Sequence, residues 1–126
     1  MTLTAITLIL SILALILTKG ADIATTVRGI QRVGITGEKN PLARWAMERW
    51  GLAWGITAIM GLWFLVVLVT YVPMWFAPAW MQWLTAGMGC FVACCQWDVA
   101  RMNATGRHSW FTSLAQRGFV ALKKQK

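Results

Sequence analysis

Apolar residues gather in three long blocks along the chain, Leu3 to Leu17, Leu52 to Tyr71 and Ala77 to Trp97, and none alternates with the period of two that marks a barrel strand. The last two approach the roughly 20 residues that cross a hydrocarbon core of about 30 Å. Inside lipid only helices and closed barrels satisfy every backbone polar group, so each block predicts a helix and the fold class is all-α. The first block is shorter. Extending it through Thr18 to Gly29 gives nearly thirty residues, about 45 Å at the helical rise, enough to cross a membrane and protrude. A cleaved secretory signal is the competing reading of this block. Met1 to Thr4 carry no Lys or Arg, the charges Lys19, Arg28 and Arg32 follow it, and its end lacks a small-x-small cleavage site, so a retained span is expected. The pattern thus predicts a three-helix transmembrane bundle in one membrane domain, 1–126. Its spans fall at about 3–29, 48–71 and 78–101, with a linker at about 30–47 and a basic tail at 105–126.

Small and polar residues inside the blocks predict the packing faces, because helices in lipid associate through close contact of small residues and through buried polar groups. On the first helix Thr4, Thr7, Ser11, Ala14, Thr18, Asp22 and Thr25 recur at spacings of three and four, a stripe expected to face protein. The second helix carries Gly51-x-x-x-Gly55, then Ala58 and Gly61; the third carries Ala86, Gly89, Cys90, Ala93 and Cys94. Asn40 is a good N-cap and Pro41 a good first helical residue, which starts the second helix before its apolar block and lays Leu42 to Arg49 at the interface. Thr105-Gly106 predicts a stop to the third helix. Beyond it Ser109 is a cap for a segment in which Trp110, Phe111, Leu114, Phe119 and Leu122 mix with Arg117, Lys123 and Lys124. That mixture predicts a short interfacial amphipathic C-terminal helix on the inner leaflet, a frayed basic tail being the alternative.

Composition excludes an ordinary soluble domain, since 58% of residues are hydrophobic and only 13% are charged. The charges also orient the chain. Arg28, Arg32, Lys39, Arg44 and Arg49 flank or fill the segment between the first two spans and Arg101, Arg107, Arg117, Lys123, Lys124 and Lys126 follow the third, while Val72 to Pro78 carries none. Basic segments stay cytoplasmic, so the N-terminus and the Pro-containing turn are expected outside and the C-terminus inside. The net charge of +8 is then met by anionic lipid headgroups, and no nucleic acid is expected as a partner. The nine tryptophans cluster near the span ends as an aromatic belt does, although stacking on an embedded ligand is the other reading. No axial-ligand pattern accompanies them, His108 lies outside the spans, and no cofactor is expected.

All four carboxylates, Asp22, Glu38, Glu48 and Asp98, map to the cytoplasmic side under this topology. An ionisable residue in a span is costly and marks either a site or a packed pair. Lys19 stands three residues before Asp22 and Arg101 three after Asp98, which gives one reading: local ion pairs near the interface. In the other, Asp22, Thr26, Glu38, Asn40, Asp98 and Arg101 form a polar cluster that binds a cation or a polar headgroup. Its oxygen ligands favour Mg²⁺ or Ca²⁺, though whether any metal binds stays open. Cys90, Cys94 and Cys95 have no CxxC spacing and read as small packing residues. No nucleophile elbow, zinc-protease, P-loop or dinucleotide motif is present, and a catalytic role has no residue to rest on.

Asp22-x-x-x-Thr26 followed by Gly37-Glu38-Lys39-Asn40-Pro41-Leu42 resembles the pattern of a family of small bacterial multi-pass membrane proteins of unknown function, over the first third of the chain. The resemblance implies a helical membrane fold in a bacterial inner membrane, and no activity. The layout of three spans with an outer N-terminus and a basic inner tail is also similar to one class of phage holins. The function expected from these readings is non-enzymatic: lateral helix association, as an accessory or assembly subunit of a larger membrane complex. The partners are then other transmembrane proteins or further copies of the chain. Thr7, Ser11, Thr18, Gly51, Gly55, Gly89 and Cys90 are the expected helix-packing residues. A holin-like self-oligomerising pore and a membrane-embedded enzyme or ion-binding protein using Asp22 and Asp98 are the alternatives.

Overall fold

The computed structural model describes residues 2–38 and 40–107. Among them the chain is all-helical: α1 (Leu3–Val33), a short 3-10 turn (Ile35–Gly37), α2 (Pro41–Met74) and α3 (Ala79–Thr105). The expected C-terminal amphipathic helix lies outside the described residues.

Each boundary has a local cause. The Thr2 side chain accepts a hydrogen bond from the Ala5 amide and starts α1. Gly34, at φ +82°, ends it and donates its amide to the Ile30 carbonyl. Asn40 Oδ1 accepts from the Leu42 and Ala43 amides, with Pro41 as the first residue of α2. Gly106, at φ +68°, closes α3 as the Thr105-Gly106 pair predicts. At the other end Pro78 precedes α3, and Gln82 Nε2 donates to the Ala77 carbonyl (3.0 Å) across the turn from α2.

Two of the three helices, α1 and α2, are long and apolar enough to cross a membrane. In α3 the run is diluted by Gln82, Gln96, Asp98 and several tryptophans and glycines, which lower its mean hydropathy.

The core is a seam between α1 and α3. Along the seam the buried positions are Leu8, Ser11 and Leu15 on α1 and Ala86, Gly89, Ala93 and Ala100 on α3, steps that keep to a seven-residue repeat; Ile30, also buried on α1, packs on α2 instead. A repeat of 3.5 residues per turn is the signature of two helices wound left-handedly about each other. Ser11 sits beside Gly89, Thr18 beside Gln96 and Thr26 beside Asn103. The residue numbers rise together on the two helices, so α1 and α3 run parallel. α2 runs antiparallel to both, Tyr71 meeting Ser11 and Trp63 meeting Gln96. The alanines and glycine of α3 let its backbone approach α1 closely, whereas along this seam α2 meets the pair through the side chains of Trp63, Val67 and Tyr71.

α2 is not one rod. Gly51 holds φ +81° and ψ 166°, a conformation outside the helical region, and divides Pro41–Trp50 from Leu52–Met74. The first piece folds back: a Cβ on Gly55 would stand 2.6 Å from Met47 Cα. The spacing Gly51-x-x-x-Gly55 was expected to make a helix-packing face against another span. The geometry corrects that expectation, because Gly51 is the corner and Gly55 the seat for the returning Met47 backbone. Ala43 and Met47 of the folded-back piece pack on Ile30, at the end of α1, with Ile35, Leu52, Ile56 and Ile59 around them.

This connectivity gathers the described Arg28, Arg32, Arg44, Arg49, Arg101 and Arg107 near one end of the bundle. Thr2 and the turn at Trp75 to Pro78 occupy the other.

Candidate polar site at the basic end of the bundle

Three polar contacts follow one another along the seam, at Ser11, Thr18 and Thr26 of α1. Ser11 is fully buried; its hydroxyl donates to the Leu8 carbonyl (3.1 Å), so with its one proton committed it accepts from the Tyr71 hydroxyl (2.8 Å). Gly89 leaves the space for that pair, since a Cβ there would lie 3.2 Å from Ser11 Oγ and collide with Tyr71 Oη. One turn of the repeat further on, the Thr18 hydroxyl donates to the Ala14 carbonyl (2.8 Å) and must therefore accept from Gln96. The Gln96 amide nitrogen faces Thr18 (2.9 Å) and the Leu15 carbonyl (3.3 Å), and its oxygen accepts from the Trp63 indole (3.0 Å). These two layers join all three helices. In the third, nearer the basic end, Asn103 Nδ2 donates to Thr26 Oγ1 at 3.4 Å, a longer and weaker contact between α1 and α3.

Around that level, with Thr26 and Asn103 in its lining, lies a cavity of about 420 Å³. Asp22, Thr26, Glu38 and Asn40, four of the polar-cluster residues, all line it. Lys19 and Asp22 enter as an ion pair, Nζ to Oδ2 at 2.8 Å, with only 16% of each side chain exposed. Glu38 Oε1 accepts from the Asn40 amide (2.7 Å), and the Glu38 carbonyl accepts from the Arg44 guanidinium, Nε at 2.9 Å. These contacts hold the chain between the 3-10 turn and α2 against the cavity rim. Ile56, Ile59 and Met60 of α2 and Val99 and Met102 of α3 give the lining its apolar part.

Asp98 and Arg101 do not line the cavity; Asp98 is partly buried on α3 and Arg101 is exposed. Four of the six predicted cluster residues, on α1 and the segment leading into α2, thus line one cavity, and the two on α3 do not. Among the packing residues, Ser11, Thr18 and Gly89 meet at the seam. Thr7 is half-buried and bonds the Thr4 carbonyl of its own helix (2.8 Å). Cys90, one position round from Gly89, is exposed, so it takes no part in the seam for which its spacing recommended it. The Lys19–Asp22 pair is the local ion pair that their three-residue spacing predicts. Tyr71 and Trp63 are core residues that the sequence reading did not place there, although each carried a signal, a hydroxyl and an indole N–H in an apolar block, which need partners wherever no water reaches them.

Among the described residues no three His, Cys, Asp or Glu side chains come close enough to share a metal ion. The arrangement is suited instead to hydrogen bonding and charge pairing with a polar group held against apolar side chains.

A model of a domain of unknown function, DUF5658, matches residues 13–99, well over half of the chain. The chain belongs to this family. The DUF5658 match runs from the middle of α1 to near the end of α3, so it takes in both three-helix polar layers except Ser11, and Asp22, Thr26, Glu38 and Asn40 as well. No curated protein and no solved structure matches the chain.

Proposed function

We propose that the protein is a multi-pass protein of a bacterial inner membrane, with its N-terminus outside and its basic end cytoplasmic, that works by lateral helix association as an accessory or assembly subunit of a larger membrane complex. The membrane reading is supported by two helices of spanning length and by an outer surface of Leu62, Leu65, Val66, Val69, Phe91 and their neighbours, exposed along α2 and α3. The orientation is supported by the arginines at one end of the bundle.

The observation that carries the association is the pair Gly61 and Gly87. Both lie in helix interiors on outward faces, and a Cβ at either would meet nothing within 4 Å. Glycine in a helix interior costs about 1 kcal/mol relative to alanine, and nothing among the described residues uses the space it leaves. Each sits among other exposed small residues, Ala53 and Thr57 before Gly61, Cys90 and Cys94 after Gly87, on spacings that keep to one helix face. Small residues on an outer face let a neighbouring backbone come close.

The test is purification of a tagged copy from its native membrane in mild detergent, comparing wild type with Gly61→Leu and Gly87→Leu. Wild type is expected to bring down other membrane proteins in fixed proportion. Either leucine variant is expected to lose them while keeping its own thermal stability, because the added side chain touches nothing in the monomer. A wild-type chain recovered alone and monomeric sinks the proposal; recovery as a large homomultimer moves it to the self-assembling pore.

A further inference from the structure

We propose that the cavity at the basic end of the bundle is a binding site for a zwitterionic amphiphile, a membrane lipid whose head carries a phosphate and a primary ammonium. The lining is of two kinds. Lys19, Asp22 and Glu38 contribute an ammonium and two carboxylates, and Ile56, Ile59 and Met60 contribute apolar side chains. A simple ion has no use for the apolar side chains, and a bare acyl chain has none for a half-buried ion pair. A molecule with both parts uses both.

Charge decides the head. A purely anionic head meets two carboxylates for one lysine, and a purely cationic one meets Lys19 beside its preferred partner. A zwitterion lies along the Lys19–Asp22 pair, phosphate toward the remaining N–H groups of Nζ and ammonium toward Asp22. Depth agrees with the occupant. About 20 residues of α1 cross a hydrocarbon core, which places Asp22 at its edge, while Ile56 and Ile59 lie one to two turns past the Gly51 corner in α2. A volume of about 420 Å³ is within the range of small-molecule sites and accommodates a headgroup with the start of its chains.

The full chain, purified in mild detergent, is offered equal amounts of phosphatidylethanolamine, phosphatidylcholine and phosphatidylglycerol, and the lipid retained after detergent exchange is measured by mass spectrometry. Phosphatidylethanolamine is expected at about tenfold over the other two, the worth of one charge-assisted hydrogen bond. Phosphatidylcholine lacks the ammonium N–H donors and phosphatidylglycerol lacks the cation. Asp22→Asn is expected to lose that preference. Ile59→Trp, which fills the cavity and leaves every charge in place, is expected to lose retention altogether. Equal retention of the three lipids by the wild type overturns the proposal, as does undiminished retention by Ile59→Trp. Displacement by soluble phosphoethanolamine as readily as by the whole lipid also overturns it, because the apolar part of the lining then contributes nothing.

Discussion

A methyl group added at Gly89 has nowhere to go. It would meet the Tyr71 hydroxyl oxygen head-on and press on Ser11 Oγ at 3.2 Å. Overpacking of this kind typically costs about 1–3 kcal/mol, so Gly89→Ala is expected to lower stability by that order in a detergent unfolding titration. Tyr71→Phe removes one hydrogen bond and leaves Ser11 bonded to the Leu8 carbonyl; interhelical bonds of this type are worth roughly 0.6 kcal/mol on average in membrane proteins. The two changes should not add. Removing the hydroxyl removes the atom that the added methyl would strike, so the double variant is expected to be more stable than Gly89→Ala alone. A double-mutant cycle with simple additivity would falsify this geometry. The small-residue stripe made Ser11 and Gly89 legible in the sequence, because a hydroxyl and a bare Cα at helical spacing signal close contact. Their common partner was not legible: Tyr71 reads as one more aromatic at a helix end until three-dimensional register puts its hydroxyl between them. Asp22, Thr26, Glu38 and Asn40 were found through the rarity of polar groups near apolar blocks. Asp98 was grouped with them on the same logic and lies elsewhere, since level along the bundle does not fix direction around a helix.

The same limit governs α2 as an element. A Gly-x-x-x-Gly spacing states which residues lie one turn apart in a helix, and the inference fails when one of the glycines is not helical. Gly51 takes φ +81°, a backbone state that leaves no trace in hydropathy or spacing. The Asn40-Pro41 start, by contrast, was readable because capping chemistry is local. Backbone strain for a non-glycine residue in such a region is about 1–3 kcal/mol. At Gly51 nothing lies within 4 Å of a Cβ, so Gly51→Ala tests backbone strain alone. Gly51→Ala is expected to open the corner toward a continuous α2, lengthening the distance between spin labels at Val33 and Leu42, which are both exposed. An unchanged distance together with unchanged stability would show that alanine tolerates the corner. The outward Trp45 and Trp50, packed edge to face at 5.2 Å between ring centroids, ride on the folded-back piece and should change solvent exposure with it.

At the scale of the whole molecule, the closest packing joins α1 to α3, the first and last of the described helices, with α2 laid against them more loosely. The three apolar blocks announced three helices, but not which two would pair, because small faces were visible on all of them. What settles the pairing is the shared seven-residue repeat, set by Leu8, Ser11, Leu15 and Thr18 on one side and Ala86, Gly89, Ala93 and Gln96 on the other. This parallel pairing bears on biosynthesis. α1 leaves the ribosome before α3 and must wait for it before Ser11 and Thr18 have their partners across the seam, and α2 alone offers only Tyr71 to the former. A nascent chain arrested after Met74 is therefore expected to stay sensitive to protease and to membrane quality control, and one arrested with Asn103 already emerged to become resistant. Synthesis of α3 is thus expected to be the event that closes the bundle of the described helices.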